Sequence, residues 1–141
     1  MFELFPFNQP EKTRDCGYRC LYYSLIVFGE NIGKYEQWLQ NFRFFAPVLN
    51  GIGFKDIHII LDHYGLDYRF TVPTEKGLYI IYSGCWLKHG HYFVYHNGEV
   101  LRSTKSEPEE IPACDVIARL SQARSIDQAW RCLKVLGKKQ A

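Results

Sequence analysis

At 141 residues, 47% hydrophobic and 23% charged, the chain has the size and make-up of one globular domain, which excludes disordered and fibrous classes. Seventeen basic and fifteen acidic residues leave a net charge of +2, without the basic surplus of a nucleic-acid binder. The longest apolar run, 20–28, breaks at Ser24 and is far shorter than a membrane span.

Residues 1–14 read as an extended lead-in, because Pro6 and Pro10 break helices and no basic segment marks a signal peptide. A helix is expected from Asp15 or Cys16 to about Phe28, with Asp15 as N-cap and Gly29 ending it. A second is expected over 32–42, with Tyr35, Trp38, Leu39 and Phe42 on one face, and a third over 54–64, where Ile57, Ile60, Leu61 and Tyr64 recur at helical spacing before Gly65.

The period then changes. Residues 67–72 and 78–82 read as strands bounded by Pro73 and Gly77. Residues 91–96 and 99–103 flank Asn97-Gly98, the strongest short signal for a type I′ hairpin. His96 falls at the hairpin tip, where solvation is expected. Residues 113–136 read as one or two helices split near Ser125, and 137–141 as a frayed end. Helices first and antiparallel strands later predict an α+β fold, a single domain over 1–141 with a C-terminal helical extension.

Five cysteines, Cys16, Cys20, Cys85, Cys114 and Cys132, cannot all pair with one another, which points to a reducing, cytoplasmic setting. Cys16 stands in the first turn of a predicted helix, where the helix N-terminus favours a thiolate. Gly17 beside it leaves room for a substrate backbone. Gln9, seven residues upstream, can donate to a developing oxyanion together with the Cys16 N–H. His91 opens a predicted strand after Gly90, so an imidazole on a sheet faces a helix-borne thiol, the arrangement an activated cysteine nucleophile needs. His89, on the same strand face, is the rival base. Cys20, one turn beyond Cys16, reads as core or as a resolving thiol, and Cys16-x3-Cys20 with His89 or His91 is a competing zinc reading that lacks a second paired knuckle. Tyr22-Tyr23 and Phe42, Phe44 and Phe45 read as core. Lys134, Lys138 and Lys139 read as a solvated basic face.

Gln9, then Asp15-Cys16-Gly17 with Cys20-Leu21, then Gly90-His91-Tyr92-Phe93-Val94 entering a hairpin resemble the papain-like cysteine peptidases. The nearest branch is the bacterial peptidases that remove double-glycine leader peptides, with their standalone relatives. The pattern spans roughly 9–104. The resemblance implies N-terminal helices packed against a small antiparallel sheet, a Cys16 nucleophile, a His91 base, Gln9 in the oxyanion hole, no cofactor, and a peptide or protein substrate. The Gln9–Cys16 gap is one residue longer than usual in that family. Its usual third residue, Asp or Asn on the next strand, has no counterpart between Val100 and Ser106; Thr104 falls opposite His91 across a two-residue turn, and a bulge would bring Ser103 there instead. The alternative is a catalytically inactive papain-like peptide-binding or inhibitory module. With no transporter domain in the sequence, the chain is not expected to be an exporter itself.

Overall fold

The computed structural model describes residues 16–41, 54–73, 75–83, 91–101 and 130–139, the side chains of Phe54, Ser83, His91 and Trp130 excepted. The elements run α1 (Cys16–Val27), α2 (Tyr35–Gln40), α3 (Phe54–His63), β1 (Leu66–Phe70), β2 (Leu78–Ser83), β3 (His91–His96), β4 (Glu99–Leu101) and β5 (Trp130–Lys138). The strands form one antiparallel sheet in the order β1-β5-β2-β3-β4, so the fold is α+β.

α1 is buried along nearly its whole length, and only its last turn carries exposed apolar side chains, Ile26 and Val27. Its end follows the sequence expectation. Gly29, at φ +86°, takes the left-handed C′ position; its N–H donates to the Ile26 carbonyl and the Glu30 N–H to the Leu25 carbonyl, the paired bonds of a Schellman cap. α2 is shorter than the 32–42 expected. Gly33 at φ +74° and extended Lys34 hold the chain out of helix until Tyr35. Tyr35 and Trp38 then turn inward onto α1, and Phe42 lies outside the described residues. α3 buries Ile57, Ile60 and Leu61 as its periodicity predicts.

The hairpin forms as Asn97-Gly98 requires. Both residues have positive φ, 50° and 89°, and His96 pairs with Glu99, Tyr95 with Val100 and Val94 with Leu101. On the helix side of the sheet, Leu78, Ile80, Tyr92, Val94, Leu133 and Val135 join the core of α1 and α3. Tyr79, Ile81 and Phe93, of opposite parity, are fully buried too, so β2 and β3 are covered on both faces.

The C-terminal reading needs correction. Residues 130–136 are not helical: they belong to β5, a nine-residue strand inserted between β1 and β2. Residues 113–129 lie outside the described residues. Nor do Gly137 to Lys139 fray. Gly137 and Lys138 pair with Asp67 and Leu66, and the Lys139 N–H donates to the Gly65 carbonyl at 2.8 Å. Of the lysines expected on a solvated face, Lys138 and Lys139 are exposed and pair with Glu30 and Asp62, whereas Lys134 is largely covered and pairs with Glu75.

His96 also departs from expectation. It is half-buried, and its Nδ1 lies 2.6 Å from the Tyr23 hydroxyl, tying α1 to the hairpin. Burial lowers its pKa below the usual imidazole value, and Glu99 opposes that shift. The unfolded chain therefore takes up this proton first as pH falls. Stability should be full above about pH 6.5, decline below it, and level off once the folded imidazole is also protonated. Urea unfolding at a series of pH values should show this slope in the wild type and a flatter one in His96→Gln; equal slopes would remove His96 as its source.

Candidate active site

Cys16 opens α1, where the first-turn N–H groups have no partners within the helix and carry partial positive charge. Its sulfur accepts the backbone N–H of Tyr92 at 3.4 Å, across 76 positions of sequence. The geometry of the hairpin sets the direction of that N–H. In a two-residue hairpin the pair closing the turn is hydrogen-bonded, so His96 and Val94 direct their backbone groups toward β4, and Tyr92 is next in line on the same side. The first turn of α1 is thereby tied through Cys16 to the start of β3, and Cys16 keeps 8% of its surface exposed.

His91 is the first residue of β3, directly before Tyr92, and pairs with Ser83 of β2. Standard bond lengths keep its Cα within about 6 Å of the Cys16 sulfur. Its backbone therefore stands beside the candidate nucleophile; its side chain lies outside what the structure describes. Gln9, Asp15, His89, Ser103 and Thr104 also lie outside the described residues, as do Cys85, Cys114, Phe44 and Phe45.

The thiols differ sharply in setting. Cys20 is fully buried, in keeping with the core reading, and its carbonyl accepts the Ser24 hydroxyl at 2.8 Å. Burial pushes the Cys132 thiol far above its ordinary range, which keeps it protonated and unreactive near neutral pH. None of the three described cysteines is in a disulfide. Among the described residues no three His, Cys, Asp or Glu side chains gather into a group able to hold a metal.

Sequence reasoning missed the part played by Tyr92, which read only as a strand residue. Its ring packs against that of Tyr82 with centroids 4.9 Å apart. Burial first, and the neighbouring Cys16 second, raise its phenol pKa, so it stays neutral beside the thiol. It also missed Arg19, buried in α1 one turn from Cys16 with its guanidinium 4.8 Å from the Tyr35 ring centroid. Neither had a local signal, since both roles arise from tertiary packing.

No family model matches this chain, and no curated protein matches it. No helix among the described residues is long and apolar enough to cross a membrane.

Proposed function

We propose that the chain is a papain-like cysteine peptidase or isopeptidase of the cytosol. The single observation that carries this reading is the 3.4 Å bond from the Tyr92 N–H to the Cys16 sulfur, which brings a helix-start thiol to the residue following His91. In the proposed reaction Cys16 attacks the carbonyl carbon of a peptide or isopeptide bond. His91 takes the thiol proton and delivers it to the leaving amine. Gln9 and the Cys16 N–H donate to the oxyanion of the tetrahedral intermediate. Water then attacks the thioester, releasing the acid and restoring the thiol.

Iodoacetamide labelling of the full chain near neutral pH tests this. A single fast adduct at Cys16 is expected, slowed in His91→Ala, with peptide hydrolysis falling by about 10²–10⁴-fold in that variant and much less in His89→Ala. Gln9→Ala should split the two readouts: hydrolysis falls on the order of 10²–10³-fold while alkylation, which builds no oxyanion, continues at the wild-type rate. Slow, even labelling of several cysteines, together with undiminished peptide binding, would instead identify an inactive peptide-binding or inhibitory module.

A further inference from the structure

We propose that β1 is the seam of a symmetric homodimer, formed by two copies of the chain joining their sheets edge to edge. β1 ends the strand order, and among the described residues no strand pairs with its outer side. The Tyr68 N–H donates to the Asp67 carboxylate at 3.0 Å rather than into β5, so Tyr68 turns its backbone groups outward, and alternation turns those of Leu66 and Phe70 the same way. The extra residue that disturbs the β1–β5 register, Leu136, belongs to β5, so this alternation runs unbroken along β1.

An antiparallel copy centred on Tyr68 uses all five residues. Tyr68 meets its own counterpart, and Leu66 meets Phe70 of the other copy; these are the outward-facing residues, and they form the hydrogen-bonded pairs. Asp67 meets Arg69 of the other copy twice, once on each side of the axis. Both pairs fall at non-hydrogen-bonded positions, where side chains on facing strands stand closest. The charge pattern of β1 is therefore complementary to itself in the one register that pairs the whole strand. Asp67 and Arg69 are both exposed, and among the described residues Arg69 reaches only the exposed Glu75, at 3.2 Å. On the opposite face of β1, Phe70 is 59% exposed and sits beside His58 of α3, apolar surface that a second copy would shield. Pairing exchanges the Asp67 cap on Tyr68 for a backbone bond, a near-even trade that makes the dimer reversible.

Sedimentation equilibrium of the full chain over a wide concentration range tests the seam. The wild type should dimerise, and its dissociation constant should rise with added salt as the charge pairs are screened. Asp67→Arg and Arg69→Asp, each alone, place like charges opposite one another and should weaken the dimer by about tenfold or more. When the two variants are mixed, each facing pair across the seam again joins one arginine to one aspartate, and association should be restored. A wild type that stays monomeric throughout overturns the proposal. So does a dimer indifferent to both reversals and to salt, or a mixture that associates no better than either variant alone.

Discussion

If Cys16 is the nucleophile proposed above, Cys16→Ser should abolish amide hydrolysis and leave the melting temperature near that of the wild type, whereas Cys16→Ala should abolish hydrolysis and also lower stability. The distinction follows from the bond to Tyr92. A serine hydroxyl still offers an oxygen to that N–H, while alanine leaves a buried donor without its acceptor, at a cost of about 1–3 kcal/mol. Neither replacement supplies a thiolate; removing the nucleophile of a hydrolase costs up to about 10⁶-fold. Turnover and thermal unfolding of both variants, with Cys20→Ala as control, check this. Activity that survives in Cys16→Ala and vanishes in Cys20→Ala would transfer the chemistry to the other thiol.

Trp38→Ala should cost about 3–5 kcal/mol, a large part of the margin of a domain this size. Trp38 is 1% exposed and sits among Tyr18, Tyr22 and Tyr35, with ring centroids 5.6 to 6.5 Å away. Its indole N–H donates to the Tyr64 hydroxyl at 2.9 Å. One side chain thus seats the six-residue α2 on α1 and links both to the end of α3. Trp38→Phe keeps a ring and loses the hydrogen bond and some volume, so it should cost less than half as much. Urea unfolding measures both. A cost under about 1 kcal/mol for the alanine variant would show that α2 contributes little to the core.

What could be read from the sequence was whatever the chain encodes locally. Gly29 announces the end of α1, the spacing of Ile57, Ile60 and Leu61 announces α3, and Asn97-Gly98 announces its own turn; each depends on residues within a few positions. β5 was misread because Leu133 and Leu136 also fit a helical repeat. The alternation of buried Leu133 and Val135 was the competing signal, and long-range pairing with β1 and β2 decides in its favour. The candidate site divides in the same way. Cys16 at a helix start was visible in the sequence, and so was His91 at a strand start. That the next backbone N–H would reach the sulfur depends on how α1 lies along β3, with Cys16 against Tyr92 and Tyr23 against His96. Hairpin tips are usually solvated, which is all the local sequence says of His96; a partner 73 positions away, Tyr23, draws it in.

The position of β5 bears on how the sheet can be made. β1 and β2 follow one another closely along the chain, yet they do not touch as strands; the gap between them is filled by the strand synthesised after every other described element. On the ribosome the helices and the β2–β3–β4 meander can gather while β1 still lacks the one strand that pairs with it among the described residues. Until β5 emerges, the inner edges of β1 and β2 both present open hydrogen-bonding groups, and the apolar residues that Leu133 and Val135 cover stay wet. Closure of the sheet is then a late, non-local step, of the kind that slows folding and leaves nascent chains exposed to one another.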